Sequence, residues 1–179
     1  MQLWCDTADL DEIHAWDTHD EIHGFTTNSI LLAKAGVSTA DLLANLPTKP
    51  ICIENVYGIT NVIPKVMGQP HRGPGNINHT CIFTPEDLYP RYTANDIISV
   101  FAGRIMDTGR DPYPTIAAAR QTAARVLWAS TREVYNIYMA DDYGCDIITV
   151  PPPILTRYFA ERSQSLDQVR ARTLAEMGA

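Results

Sequence analysis

The sequence has no long hydrophobic run, no excess of basic residues and no disulfide-like cysteine pattern. No segment reaches the 18 or so apolar residues of a membrane span, and the start, Met1-Gln2-Leu3-Trp4-Cys5-Asp6, lacks the basic region of a signal peptide. The formal net charge of −7 argues against nucleic acid or an anionic membrane as a partner. We therefore predict a soluble cytoplasmic protein that binds neither nucleic acid nor membrane.

Cysteine and histidine are too sparse and too scattered to predict a metal site. The four cysteines, which show no CxxC spacing, are Cys5, Cys52, Cys81 and Cys145. Three of them lie inside predicted strands, where a cysteine behaves as a small apolar residue. His19 and His23 are four residues apart, a spacing that could bind a metal, but no third ligand is in view. We predict structural cysteines, surface histidines and no metal.

Eight short apolar or β-branched runs, bounded by turn residues, recur along the 179 residues. They predict strands at 3–7, 24–27, 50–54, 61–66, 77–83, 96–101, 125–129 and 146–150. Helical patterns follow the first strand at 9–18, the second at 30–45, and each of the last four. Most of these strands end in a polar residue that could do chemistry, as catalytic groups do at the carboxyl ends of barrel strands. The pattern predicts an α/β fold, a (β/α)8 TIM barrel.

The units after the third and fourth predicted strands are too short for a complete barrel. Only about five residues, 56–60, separate these strands, and they span at most ~18 Å, whereas a parallel crossover with its helix needs a dozen or more. Residues 67–76 are too rich in glycine and proline for a helix. We predict a trimmed barrel with helices 3 and 4 missing or reduced to loops. It would form one domain, with the barrel over 1–159 and a C-terminal helical tail over 160–179.

Several motifs resemble the transaldolase family of class I, Schiff-base aldolases, including its short fructose-6-phosphate aldolase-like members. The first are Gly24-Phe25-Thr26-Thr27-Asn28, Lys65 and Asn78-His79-Thr80. The strongest follow in the C-terminal half: Ser99-Val100-Phe101-Ala102-Gly103-Arg104, Asp107-Thr108-Gly109-Arg110-Asp111 and Leu127-Trp128-Ala129-Ser130-Thr131-Arg132-Glu133. The resemblance runs from residue 1 to about 159. It implies an enzyme that passes a dihydroxyacetone unit between phosphorylated sugars without metal or organic cofactor.

The resemblance implies four catalytic residues: Lys65, Asp6, Glu54 and Thr80. A lysine in an apolar strand loses hydration, which disfavours its charged form and leaves a nucleophilic amine. Lys65 would therefore attack the ketose carbonyl to form the Schiff base. The matching aspartate, here Asp6, would act as general acid or base in carbon–carbon bond cleavage. Glu54 and Thr80 would hold the catalytic water.

The resemblance also implies residues that bind the sugar and its phosphate. Those that would bind or line the sugar are Thr27, Asn28, Asn78 and Ser99. Those that would bind the phosphate are Arg104, Ser130 and Arg132. Arginine suits this task because its planar fork stays charged and binds oxyanions bidentately, and the loops after the last strands of such barrels often hold phosphate.

Three alternatives stay open. A shifted alignment of Ile63-Pro64 would put Val62, rather than Lys65, at the Schiff-base position. The reaction could be aldol cleavage, or addition to a new acceptor in a specialised pathway, rather than transfer. The chain could also be a catalytically weak remnant that binds phosphorylated sugars.

The shortened units also predict a homo-oligomer. Strands of a parallel barrel are apolar on both faces because helices cover the outside, so the loss of two helices would expose Ile51, Ile53, Val62 and Val66. Contiguous apolar patches of this kind usually mark an interface, although the loop over 67–76 or the tail over 161–179 could fold over the gap instead. In short transaldolases, moreover, the C-terminal helix packs against a neighbouring subunit. The tail of this chain has a helix-compatible pattern that would allow the same contact.

Overall fold

The structure is a computed structural model that describes residues 1–54, 59–63, 65–66, 69–70 and 77–178, with side chains over 1–53 and 77–178. Over these residues the strands are β1 (Gln2–Asp6), β2 (Gly24–Thr27), β3 (Ile51–Glu54), β4 (Ile59–Ile63), β5 (Lys65–Val66), β6 (Gln69–Pro70), β7 (Ile77–Ile82), β8 (Ile97–Val100), β9 (Arg125–Trp128) and β10 (Ile147–Val150). The helices are α1 (Leu10–Asp17), α2 (Ser29–Ala35), α3 (Thr39–Ala44), α4 (Ala102–Asp107), α5 (Tyr113–Ala119), α6 (Tyr135–Asp142), α7 (Pro152–Glu161) and α8 (Leu166–Glu176).

Eight of the strands form a closed barrel in the order β1-β10-β9-β8-β7-β4-β3-β2. β1 closes the barrel by pairing in parallel with β10, with Gln2 opposite Ile147. Seven strands share one direction, and β4 runs antiparallel to both of its neighbours, β3 and β7. Among the described residues between β3 and β7, none is helical. The prediction of a trimmed α/β barrel is therefore confirmed, with one strand reversed.

The prediction of a parallel fourth strand at 61–66 is wrong in its bounds and its direction. β4 ends at Ile63, which pairs with Ile51, the first residue of β3. The fourth strand thus returns to the end of the barrel where its parallel neighbours begin. Antiparallel strands can be joined by a short turn, whereas parallel strands need a crossover of a dozen or more residues. The short segment after β3 therefore accounts for the reversal.

Side chains on the barrel strands alternate between an outer and an inner core. The outer cluster includes Leu3 and Phe25, which lie under the helices. The inner cluster consists of Trp4, Cys52, Ile97, Leu127, Ala129 and Ile147. Trp4 is 1% exposed, and a Cβ atom at Gly24 would lie only 2.7 Å from its ring. The inner core therefore fills the barrel below the ends of the strands, where a site can form.

The helix predicted over 30–45 is two helices. α2 ends at Gly36, whose φ of 67° is a left-handed conformation that glycine adopts without strain. Ser38 then caps α3 and forms a capping box with Asp41. The periodic apolar pattern continues through this break, which is why it resembled one helix.

Ile51 and Ile53 are buried, which contradicts their predicted exposure. Their exposed fractions are 1% and 6%, and both belong to the outer core cluster that contains Leu32 of α2 and Leu42 of α3. The other two positions of that prediction, 62 and 66, lie outside the described side chains. The predicted exposure of this flank is therefore wrong for both isoleucines.

The C-terminal helices differ in how they contact the rest of the chain. Phe159 of α7 stacks on Trp16 of α1, with ring centroids 5.9 Å apart, and Arg162 forms two hydrogen bonds of 2.6 Å with Glu21. His19 also packs on Phe159. α8, in contrast, buries none of its residues. In the described part of the chain, no helix has the length and apolar character needed to cross a bilayer.

Candidate active site

A cavity of about 440 Å³ lies over the carboxyl ends of the parallel strands. Nine of the predicted site residues line it: Asp6, Thr27, Asn28, Asn78, Thr80, Ser99, Arg104, Ser130 and Arg132. They come from four strands, β1, β2, β7 and β8, and from the segments that follow β2, β8 and β9. The barrel brings them together because parallel strands end at one face. The roles of these residues in catalysis or binding stay predictions.

Two predicted catalytic residues, Glu54 and Lys65, have side chains outside the described part of the structure. Glu54 ends β3, two residues after Cys52, which lines the cavity. Lys65 begins β5, which pairs with β6 in a two-stranded sheet separate from the barrel. Lys65 follows the reversed β4 by two positions, and its role as the nucleophile stays a prediction.

Asp6 lines the cavity and is hydrogen-bonded to a chain of two threonine hydroxyl groups. Thr26 Oγ1 donates a hydrogen bond of 2.7 Å to Asp6 Oδ1, and it lies 2.5 Å from Thr149 Oγ1. Burial raises the pKa of Asp6 from 3.8 to about 6, and the hydrogen bond from Thr26 lowers the pKa and so offsets part of this rise. A carboxyl group with such a pKa can take and release a proton near neutral pH, as general acid–base catalysis requires.

Asp6→Asn should stabilise the protein more at neutral than at acidic pH. The folded pKa of about 6 lies above the ordinary value of 3.8, so the wild type loses stability as the pH rises between these values and the buried carboxyl ionises. The advantage of the variant in free energy of unfolding should grow by roughly 1 to 3 kcal/mol across this window. Urea denaturation at about pH 4 and about pH 7 measures it. Asp20→Asn, at an exposed position, is the control. If the difference in free energy of unfolding between Asp6→Asn and the wild type were the same at both pH values, the raised pKa of Asp6 would be contradicted.

The two asparagines of the cavity are held in fixed orientations. Asn28 is the N-cap of α2, and its Oδ1 accepts the backbone N–H groups of Ile30 and Leu31. Ser99 Oγ donates to Asn78 Oδ1 at 2.7 Å. The Asn78 side chain also forms a hydrogen bond with the Cys52 thiol. Because Asn28 Oδ1 accepts within the protein, a ligand in the cavity would meet the amide NH₂ hydrogens of Asn28 as donors. Such donors suit hydroxyl and carbonyl oxygens.

Two arginines line the outer part of the cavity, in different environments. Arg104 lies 5.8 Å from the centroid of the Phe101 ring. Arg132 forms an ion pair with Asp107, with a distance of 2.8 Å between Nη2 and Oδ2, and its Nε also donates to this carboxylate. Among the described residues these bonds engage one edge of the guanidinium, which leaves Nη1 for an anion.

The segment that carries Ser130 and Arg132 is pressed against α4. Ser130 has a φ of 63°, an uncommon conformation for a residue other than glycine. Its carbonyl oxygen would lie 1.7 Å from a Cβ atom at Gly103, so only glycine fits there. Thr131 Oγ1 donates to the carbonyl of Thr149 at 2.7 Å. These contacts fix the two arginine-bearing segments relative to each other and to β10.

Other cavity residues are ones that sequence reasoning did not single out as site residues. They include Thr26, Cys81, Phe83, Phe101 and Thr149. The alternation that turns Asp6 inward also applies to Thr26 and Thr149 on their own strands, so this signal could have found them. Cys81 corrects an expectation, because it is exposed rather than buried in its strand. β7 shifts register between His79 and Ile82, and Cys81 has a φ of 61° there.

Comparison with known proteins gives a consistent result. A family model described as Transaldolase/Fructose-6-phosphate aldolase matches residues 71–178, which is more than half of the chain. A probable transaldolase of Mesorhizobium japonicum is 27% identical over 190 residues, covering 87% of each chain. One of a Sulfurihydrogenibium species is 26% identical over 192 residues, covering 88% of each chain. One of Nitrosopumilus maritimus is 25% identical over 194 residues, covering 88% of this chain and 86% of its own.

Proposed function

We propose an aldolase function for this chain on the premise that it belongs to the transaldolase/fructose-6-phosphate aldolase family, whose model matches more than half of it. The substrate would be a phosphorylated ketose, and the products would be formed through a lysine Schiff base. We infer transfer of a dihydroxyacetone unit to an aldehyde as the reaction. Aldol cleavage that releases this unit is the alternative within the same chemistry.

The observation that carries the proposal is the distribution of groups in one cavity. Asp6 and Asn28 are half-buried and Asn78 is buried, whereas Arg104 and Arg132, which line the same cavity, are exposed. A phosphorylated sugar has the same two kinds of group, with hydroxyl and carbonyl oxygens for the carboxyl and amide groups and a dianion for the two exposed arginines. The volume of about 440 Å³ is within the usual range of small-molecule sites.

The chemistry divides between an amine and a carboxyl group. In the proposed reaction Lys65 adds to the ketose carbonyl and, with loss of water, forms the iminium. Asp6 then removes the proton of the hydroxyl group beside the bond that breaks, and the iminium takes up the electron pair as an enamine. The carbon that bore this hydroxyl group leaves as the first product, an aldehyde. The enamine carbon then attacks the carbonyl of an acceptor aldehyde, protonated Asp6 returns its proton to the new alkoxide, and water hydrolyses the iminium to release the second product and the free amine of Lys65. With a pKa of about 6, Asp6 would be mainly ionised at neutral pH and able to accept this proton.

One observation favours a second candidate, binding of a phosphorylated sugar without Schiff-base chemistry. β4 runs antiparallel, and Lys65 follows it in a sheet separate from the barrel. The matched family range, 71–178, contains Arg104, Ser130 and Arg132 but not Lys65. The phosphate-binding half of the site could therefore be kept without the nucleophile.

Borohydride reduction in the presence of a ketose phosphate separates the two candidates. Reduction of an iminium fixes the sugar to the protein, and intact mass then shows one added sugar unit. This adduct would support the aldolase. Measurable binding of the ketose phosphate without an adduct, and without release or transfer of a three-carbon unit, would support the binding protein instead.

We further propose that the protein is a homo-oligomer with α8 at the interface. Two leucines of this helix and the methionine after it are exposed, with 85% exposure at Leu166, 46% at Leu174 and 75% at Met177. A helix that buries none of its apolar residues in its own chain gains stability by packing elsewhere.

The double variant Leu166→Ser/Leu174→Ser should lower the mass measured by light scattering at micromolar concentration toward the 19.9 kDa of one chain. The loss follows because serine removes the apolar area that the interface would bury. The control is Asp167→Ser/Ala171→Ser, which places the same residue type at other exposed positions of α8. A wild type that already has the mass of one chain would refute the oligomer.

A further inference from the structure

We propose that Thr149 is a positioning residue for Asp6, acting through the hydroxyl group of Thr26. The inference rests on the proposed function for the part that Asp6 plays in catalysis, but the hydrogen bonds themselves exist without substrate. Thr149 lies on β10, Asp6 on β1 and Thr26 on β2, so the chain of hydroxyls crosses three adjacent strands at the point where the barrel closes.

The distances allow one arrangement of protons when Asp6 is ionised. The carboxylate can only accept, so the single hydroxyl proton of Thr26 points to Asp6 Oδ1, 2.7 Å away. The 2.5 Å contact between the hydroxyls of Thr26 and Thr149 then needs a proton from Thr149. Thr149 is therefore the donor to Thr26, and it turns the hydroxyl of Thr26 toward the carboxylate.

Donation by Thr149 also strengthens the bond that Thr26 makes. Hydrogen bonds in a chain polarise one another, and the effect is larger where water is excluded. Thr26 is 7% exposed and Thr149 is 4% exposed. Loss of the Thr149 hydroxyl should therefore weaken the stabilisation of the Asp6 carboxylate, although Thr149 does not contact Asp6 in this chain of hydrogen bonds.

The remaining charged or titratable side chains around the described cavity lie on other elements. They are Cys52 from β3, Cys81 from β7, Arg104 from α4 and Arg132 after β9. Burial raises the pKa of Cys52 to about 12, which keeps that thiol neutral. Glu54 ends β3 and is a further titratable residue, with its side chain outside the described part. Because a change at Thr149 leaves all of these groups in place, it isolates the hydroxyl chain.

The backbone of Thr149 is fixed by the segment after β9 that carries Ser130 and Arg132. Thr131, between Ser130 and Arg132, donates to the backbone carbonyl of Thr149. The backbone of β10 at this residue is thus fixed by the same segment that lines the outer cavity. The hydroxyl of Thr149 therefore has a defined place from which to reach Thr26.

The test is the titration of the Asp6 carboxyl by ¹³C NMR in the full chain without substrate, with the signal assigned by its absence in Asp6→Asn. Wild-type Asp6 should titrate at about 6. Thr149→Val and Thr149→Ala should raise this pKa by roughly half a pH unit, and Thr149→Ser should restore the wild-type value. Valine puts a methyl group in place of the hydroxyl, and a methyl group cannot approach Thr26 as closely. Alanine leaves this space empty, so the two variants together separate a steric effect from the loss of the hydrogen bond. Circular dichroism checks that each variant folds.

Two further variants separate positioning from general packing. Thr115 is also 4% exposed, but its hydroxyl donates to the carbonyl of Phe83 and is no part of this chain, so Thr115→Val should leave the pKa of Asp6 unchanged. Thr26→Val should raise the pKa, and Thr26→Val/Thr149→Val should raise it no further, because Thr149 acts only through Thr26. An unchanged pKa in both folded Thr149 variants, or an equal rise in Thr115→Val, would overturn the proposal. The titration needs no substrate, so its outcome is independent of whether the chain proves to be an aldolase.

Discussion

Lys65→Met should abolish borohydride trapping of a ketose phosphate and lower aldol turnover by about 10³-fold or more, while the barrel stays folded. Methionine keeps most of the length of the side chain and removes the amine that would form the Schiff base. The chain has only three lysines, Lys34, Lys49 and Lys65, so the nucleophile can be identified by exclusion. Trapping followed by intact mass and peptide mapping gives the answer directly.

The other two lysines provide matched controls. Lys34 is exposed on α2, and the amine of Lys49 donates to the backbone carbonyls of Trp16 and His19. Lys34→Met and Lys49→Met should both keep the adduct. An adduct that survives Lys65→Met but is lost in one of these variants would move the Schiff base to that lysine. Undiminished turnover in Lys65→Met would refute Lys65 as the Schiff-base lysine. This experiment is decisive because Lys65 follows a strand that is reversed in the barrel.

Arg104→Ala and Arg132→Ala should each weaken the binding of phosphorylated substrates. The loss should be roughly 1.5 to 3 kcal/mol for each charge-assisted hydrogen bond that is removed. Sugars without a phosphate should lose much less, because their hydroxyl groups would contact the inner part of the cavity. The measurement is kcat/KM, or Kd if the chain only binds, for a ketose with and without its phosphate. A general loss of structure would change the values for the phosphorylated and the unphosphorylated ketose alike. The ratio of these two values therefore reports phosphate recognition alone.

Two controls address the other contacts of these arginines. Asp107→Asn breaks the ion pair with Arg132 but keeps the guanidinium, so it should preserve the preference for phosphate. Arg110→Ala removes an exposed arginine that contacts Thr108 rather than the cavity, and should also preserve it. Equal losses for phosphorylated and unphosphorylated sugars would show that Arg104 and Arg132 are structural.

The strands and the cavity were predictable because both depend on short-range patterns. Alternation along a strand sends Asp6 inward once Leu3 and Cys5 are recognised as outer-core residues. Parallel strands then gather their last residues at one face. The same two rules bring Asp6, Asn78 and Ser99 together without any knowledge of the tertiary contacts between them.

The features that escaped prediction depend on geometry between distant residues. The direction of β4 follows from the length of a connection and from its neighbours, not from the residues of the strand. The pairing of Arg132 with Asp107 joins residues that are 25 positions apart. The contact between Thr26 and Thr149 spans 123 positions and exists only because the barrel closes. Local sequence carries no record of such contacts.

The pairing of β1 with β10 also constrains how the chain can fold as it is synthesised. Gln2 pairs with Ile147, and Arg162 of the segment after α7 reaches Glu21. At about 5 to 20 residues per second, the first strand waits roughly 7 to 30 seconds for its partner to emerge from the ribosome. During this time the growing sheet has an open edge at β1, which is a template for wrong pairing with other chains. Completion of the barrel is therefore a late event that depends on the last quarter of the chain.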